Sequence, residues 1–580
     1  MRLADQESAL VRFCPPREKV SHETFARSQD MTTVDRVLAE SYWPADEGES
    51  VHDVTIGDLL REAAATVPDR TALVDAVADQ ASRRSWTYAE FLADATRAAQ
   101  ALLARFSPGD RVAIWAPNSA DWIILQQGIS LAGMIMVASN PAYRARELEY
   151  VLRQSGAVGL FYADSYRDVE LTPIVEEIRP RLPDLREAIP FSRWQEFLGS
   201  GADVELPPVA PTDPIQVQYT SGTTGFPKGA RLHHKGLANA ARFVSERAGM
   251  GDGGVNVNSM PMYHIGGGAV TSLGTLAKRG TFVIVPQFDP ALMLETFETY
   301  RGTHSLLVPT MLIAVLDHPD REKRDLTSLQ TIMSGAATVP ASLVRRAAET
   351  LGCRTTILFG QTEMHGVIAQ TRVTDSPEDQ SETVGQPLPH LEVKIADEVT
   401  GEVKSVGEAG EICCRGYQNM IEYHEMPEET ESTIDSDGWL HMGDWGCMDE
   451  RGFIKITGRL KDMIIRGGVN IYPREIEEFL ISHPAVAEVA VVGVPDEKWG
   501  EQLAAVVRLN PGADKPTVED MRAFCRAEMS AHKTPAYWSF VGELPMTPTG
   551  KVKKYVLREQ LSSGELDTDT HQPDNGEQGK

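Results

Sequence analysis

The densest chemistry in the sequence lies between Tyr219 and Gly229, YTSGTTGFPKG, where hydroxyl side chains, glycines and one lysine share eleven positions. Glycines let a backbone aim its N–H groups at an anion, hydroxyls add donors, and Lys228 adds a point charge. That chemistry suits phosphate. The spacing is not the GxxxxGK of a Walker loop, because Pro227 stands where that pattern needs glycine. Ile215 and Val217 alternate just upstream, so a strand is expected to deliver the loop.

Further short strings follow in order: PMYHIGG (Pro261 to Gly267), SGAA (Ser334 to Ala337), LFGQTE (Leu358 to Glu363), GEICCRG (Gly410 to Gly416) and DGWLHMGD (Asp437 to Asp444). GRLKDMIIRGGVNIYP (Gly458 to Pro473), VVGVPDEKWGE (Val491 to Glu501) and PMTPTGKVKK (Pro545 to Lys554) complete the series. With the glycine-rich loop, this series resembles that of the adenylate-forming (AMP-dependent) synthetases and ligases, over roughly residues 55 to 558. Within that superfamily the chain looks most like the acyl-CoA synthetases acting on medium-chain, branched or related small carboxylic acids.

The resemblance implies a role for each string. Thr220, Ser221, Gly222, Thr223, Thr224, Gly225 and Lys228 would hold the ATP phosphates. Glu363 would bind Mg2+ through a hard oxygen, and Thr362 would touch the α-phosphate, with Gly360 and Gln361 completing that nucleotide-binding turn. Adenine would lie between the backbone of Gly335, Ala336 and Ala337 and the Phe359 ring. The family more often has tyrosine at that last position, and phenylalanine keeps the stacking face. Asp444 would accept both ribose hydroxyls, with Arg459 beside it. Lys551 would stabilise the charge that gathers as a carboxylate attacks the α-phosphate, and His264 would stand at the substrate carboxylate.

An acyl-adenylate is hydrolytically fragile, so an acceptor must take the acyl group before water does. Family members rotate a small C-terminal domain between half-reactions, and Lys461 matches the hinge position. Gly467 and Gly468 match the glycines that line a pantetheine tunnel, where a narrow thiol chain passes only if no side chain intrudes. Lys533 resembles a basic residue near the coenzyme A nucleotide. The resemblance therefore implies a carboxylic acid–CoA ligase using ATP, Mg2+ and coenzyme A. An alternative keeps adenylation and passes the product to a carrier-protein thiol, an amine or another acceptor, with an unusual oxyanion as substrate a further variant. A nucleotide-binding protein without catalysis fits less well, since Lys551, Glu363 and Asp444 are all present.

Elements must position these residues. Thr87 and Glu90 form a capping-box signature ahead of Phe91, Ala95, Ala98 and Leu102 on one helical face. Short apolar runs at Arg111–Trp115, Val158–Tyr162, Gln216–Tyr219, Thr281–Val285 and Thr355–Phe359 read as strands alternating with helices, hence parallel sheets. The apolar stretch from Asp121 to Asn140 reads as a core helix, too interrupted by Gln126 and Gln127 to span a membrane. After about residue 458 a helix from Arg474 to Ile481 and strands near Glu488–Val494, Leu503–Leu509 and Ser539 read as a small α+β unit. The expected order is an N-terminal extension (1–50), an α/β adenylation domain with parallel or mixed sheets (51–458), a mobile C-terminal domain (459–560) and a disordered acidic tail (561–580).

Charge sets the class of partner. With 56 Lys+Arg against 83 Asp+Glu the net charge is −27, which argues against nucleic acid or an anionic membrane as the main partner. Cys14, Cys353, Cys413, Cys414, Cys447 and Cys525 show no CxxC or zinc-type spacing and are expected as free thiols in a cytoplasmic, reducing compartment. The N-terminus lacks the order of a signal peptide. Oligomeric state is not legible.

Overall fold

Two threonines open the first packed helices. Thr55 and Thr87 each accept a hydrogen bond from the backbone N–H three residues on, and Asp58 and Glu90 reach back to the cap N–H. The helices they start, Ile56–Thr66 and Tyr88–Leu103, bury Leu60, Phe91, Ala95, Ala98 and Leu102 in one core cluster. The computed structural model describes residues 37–570, apart from 221–226, 338, 460–461, 467–468, 497–498 and 548–550.

The fold is mixed α/β, with a large N-terminal domain and a smaller C-terminal one. In the seven-stranded sheet, Pro214–Thr220 lies between the parallel Ile135–Ser139 and the antiparallel Lys228–His233, and Glu422–Tyr423 closes that edge. In the nine-stranded sheet, His304–Leu306, Thr331–Gly335 and Arg354–Phe359 run parallel, next to one another. The five-stranded sheet is antiparallel, in the order Tyr42–Trp43, Leu391–Ala396, Gly410–Gly416, Leu440–Met448 and Ile454–Arg459. The C-terminal sheet is built around Val486–Asp496 and Gly500–Leu509, with apolar clusters on both faces.

The strands expected near 111–115, 158–162, 216–219, 281–285 and 355–359 are all present, within a residue or two of those bounds. Three expectations need correction. The stretch expected as a single core helix from Asp121 is a helix over Ala120–Leu131 followed by a strand over Ile135–Ser139. Gly133, at φ 64°, makes the turn between them, a conformation that costs glycine nothing. Both pieces are buried, so apolarity alone could not separate them. Residues 37–50, expected to belong to an N-terminal extension separate from the adenylation domain, join its five-stranded sheet: Tyr42–Trp43 pairs with Val393 and Lys394, and Trp43 is fully buried. The chain beyond residue 561 does not turn disordered at once. The helix Lys554–Ser563 continues past it, and Asp569–Thr570 adds an antiparallel strand beside Tyr537 and Trp538. Among the described residues, no helix is long and apolar enough to cross a membrane.

Candidate active site

Parallel strands end where ligands of α/β proteins gather. Thr220 closes one strand and is the cross-strand partner of Lys228, so the glycine-rich loop is the connection between two paired strands. Ser221, Gly222, Thr223, Thr224 and Gly225 lie outside the described residues. The Lys228 ammonium stands 5.0 Å from the centre of the Tyr423 ring. The Tyr423 hydroxyl in turn donates to Glu363 Oε1 at 2.6 Å. Burial and the neighbouring Glu363 charge push the Tyr423 phenol well above its ordinary pKa. The hydroxyl therefore stays protonated and remains a donor.

Glu363 sits on a short helical turn, Thr362–Met364, with Glu363 7% exposed. The segment Gln418–Tyr423 straps this turn down. Met420 N–H donates to the Glu363 carbonyl at 2.7 Å, and the Gln418 amide donates to the Met364 and Val367 carbonyls. His365 ties the same turn to the strand from Lys228. His233 N–H donates to His365 Nε2 at 3.0 Å, so Nδ1 carries the proton, donated to the Gln418 carbonyl at 2.7 Å. Burial holds His365 neutral, far below the ordinary histidine pKa. One carboxylate oxygen of Glu363 is thus fixed by a phenol on a braced turn, and carboxylate oxygens are the ligands Mg2+ prefers. These residues fit that ion.

Ser334 and Gly335 end their strand in parallel register with Ile357 and Leu358, which places Phe359 one residue beyond Gly335's partner. Ala336 follows at φ 64°, and Ala336 and Ala337 are exposed. The glycine-alanine backbone and the Phe359 position therefore sit on neighbouring strand ends, with Gly360 and Gln361 leading into the Glu363 turn. On the antiparallel sheet, Asp444 and Arg459 are direct cross-strand partners, and Asp444 is buried.

His264 precedes an unusual turn. Residues Gly266–Thr271 form a π-helix, and a Cβ on Gly268 would lie 2.0 Å from the Met262 carbonyl oxygen, so only glycine fits. Gly266 N–H donates to His264 Nδ1 at 3.2 Å. The neutral ring then carries its proton on Nε2, available as a donor. Burial, with the positive charge of Lys551 as the second cause, pushes the His264 pKa down to about 4. Lys551 comes from the C-terminal domain, on a turn where its N–H donates to Thr547 Oγ1 at 2.9 Å. The structure thus brings Lys551 into the electrostatic field of His264.

Not every expected residue falls in this cluster. Lys533 forms an ion pair with Glu475 at 2.6 Å. Lys461, Gly467 and Gly468 lie outside the described residues. Sequence reading missed Tyr423, Gln418 and His365. Nothing in their residue types marks them, since a lone tyrosine or glutamine becomes meaningful only once the strap brings it to Glu363.

Residues 60–424 match the AMP-binding enzyme family and residues 475–551 the AMP-binding enzyme C-terminal domain. A Bacillus subtilis (strain 168) protein named as an acyl-CoA synthetase, YngI, is 39% identical over 88% of this chain and 98% of its own. The mitochondrial medium-chain acyl-CoA ligase ACSF2 of Bos taurus is 35% identical over 90% of each chain. Among solved structures, ATP-bound MatB from Rhodopseudomonas palustris superposes with a TM-score of 0.79 at 28% identity, covering 87% of this chain and 99% of that one.

Proposed function

The chain belongs to the AMP-binding enzyme family, and from that premise we propose that it is an AMP-forming carboxylic acid–CoA ligase. It joins a fatty or related small carboxylic acid to the α-phosphate of ATP, releases pyrophosphate, and passes the acyl group to coenzyme A with release of AMP. What supports this reading is the match of both domains to the AMP-binding enzyme family, together with the Glu363 carboxylate held by the Tyr423 phenol beside the strand that carries Lys228.

Each residue has a task in that reaction. The loop from Thr220 and the Lys228 ammonium hold the polyphosphate. Asp444 and Arg459, paired across their strands, take the ribose. Adenine packs between Gly335–Ala337 and Phe359. His264, neutral and protonated on Nε2, donates to the substrate carboxylate without neutralising its nucleophilic charge. Lys551 meets the negative charge that develops between that carboxylate and the α-phosphate, where a cation placed in advance lowers the barrier. Glu363 would hold Mg2+, which when bound would supply charge neutralisation on the phosphates. For the second half-reaction the C-terminal domain (459–560) turns about Lys461, withdraws Lys551, and brings Gly467, Gly468 and Lys533 to coenzyme A. Lys533 then exchanges its Glu475 partner for the nucleotide. The free thiols among the described cysteines support a cytoplasmic setting.

Pyrophosphate release from Mg2+–ATP across a panel of aliphatic and aromatic acids, with and without coenzyme A, tests the reading. Acid-dependent release that coenzyme A accelerates, with acyl-CoA formed, is the expected result. Release that coenzyme A leaves unchanged would move the acceptor to another nucleophile.

A further inference from the structure

Three side chains of different ligand type meet on one face of the five-stranded sheet, away from the roles assigned above. Residues two apart on a strand share a face, which puts Glu411 and Cys413 together. Cys413 is the direct cross-strand partner of His441, so the imidazole joins them. The register shifts between Glu411, which faces Trp445, and Cys413, and the Glu411 carboxylate reaches the same ring. Glu411 Oε2 lies 2.8 Å from His441 Nδ1, and Cys413 Sγ lies 3.7 Å from that nitrogen. One ligand atom from each of the three residues lies within 4.8 Å of the others. Cys413 and Glu411 are buried, whereas His441 is half-buried, which leaves a side open to solvent.

We propose that Glu411, Cys413 and His441 bind a divalent cation of the zinc class. A tetrahedral ion with Zn–N near 2.0 Å and Zn–S near 2.3 Å separates its nitrogen and sulfur ligands by roughly 3.5 Å, close to the 3.7 Å between His441 Nδ1 and Cys413 Sγ. Glu411 Oε2, at 2.8 Å from the ring, must draw back by about half an ångström to make room for the ion. The surroundings are those of a ligand set. His441 Nε2 faces Asp435 Oδ2 at 3.6 Å, and a metal-bound histidine characteristically turns its other nitrogen to a carboxylate. Gly443 N–H donates to Glu411 Oε1 at 3.3 Å, which steadies the carboxylate and leaves Oε2 toward the ring. Thiolate and imidazole select zinc, cobalt or cadmium over magnesium.

Cobalt titration of the full-length chain in excess Mg2+ tests the site independently of catalysis. One equivalent of Co2+ is expected to give a thiolate-to-cobalt absorption with intense visible bands, both lost in Cys413→Ser and His441→Gln and kept in Cys447→Ser. Asp435→Asn, altering a half-exposed residue, should weaken binding by roughly 10–100-fold without loss of the folded circular-dichroism spectrum. Absence of the thiolate band in the wild-type chain, or its persistence in Cys413→Ser, would overturn the proposal and leave the three residues as a hydrogen-bonded group.

Discussion

A lysine that meets charge developing at an α-phosphate acts on one half-reaction only. Lys551→Ala is therefore expected to slow acid-dependent ATP–pyrophosphate exchange by roughly 10²–10³-fold. Thioester formation from supplied acyl-AMP and coenzyme A should change little; an equal loss in both assays would remove Lys551 from its role. Tyr423→Phe deletes the donor on Glu363 Oε1. A hydrogen bond to a charged group is worth about 1.5–3 kcal/mol, so the KM for Mg2+–ATP should rise about tenfold or more. An unchanged KM at unchanged kcat would free Glu363 from dependence on that phenol. Lys551 and Glu363 were legible because each stands in a distinctive string. Tyr423 was not, because its meaning comes from a two-residue edge strand that pairs with Ala230 and Arg231.

Elements carry their own constraints. In the turn after His264 the Gly268 Cβ direction is filled by a carbonyl 2.0 Å away. Gly268→Ala must open the π-helix, costing about 1–3 kcal/mol of stability as overpacking does. It also displaces the Gly268 carbonyl from the Gln126 amide that donates to it at 2.8 Å. A lower melting temperature together with weakened acid-dependent exchange is expected; a lower melting temperature with normal exchange would separate this turn from the acid site. Strand and helix positions could be read wherever turn residues or a capping box punctuated them, as at Thr87 and Glu90. The reading failed between Leu131 and Ile135, where helix and strand are equally apolar and a glycine alone divides them. It failed again beyond Leu561, where Leu561 and Leu566 reach an apolar cluster despite a polar local composition.

For the whole molecule, protonation sets a stability gradient. His233, His234, His264 and His304 are each pushed by burial to about 4, and burial holds His365 well below its ordinary value too. Unfolded histidines take up protons near pH 6.5. Between there and pH 4 the unfolded chain binds more protons than the folded one, so the stability these rings contribute is complete above pH 6.5 and lost as pH falls. Melting temperatures measured at pH 7 and pH 5 should show the drop, and His304→Gln should reduce it. The α/β class and the order of the sheets' motifs were legible because chemistry-bearing strings sit at strand ends. The antiparallel sheet's use of Tyr42–Trp43 was not, since that partner lies more than three hundred residues from the strand it joins. The proposed rotation of the C-terminal domain must also reckon with one contact. Trp445, next to Asp444, stacks on Tyr472 at 5.5 Å and 17°, and the Tyr472 ring closes over Gly458. Turning the domain parts these rings, so the indole carries an optical record of the cycle. Its emission, isolated by difference from Trp445→Phe, would time the exchange of half-reactions without any attached dye.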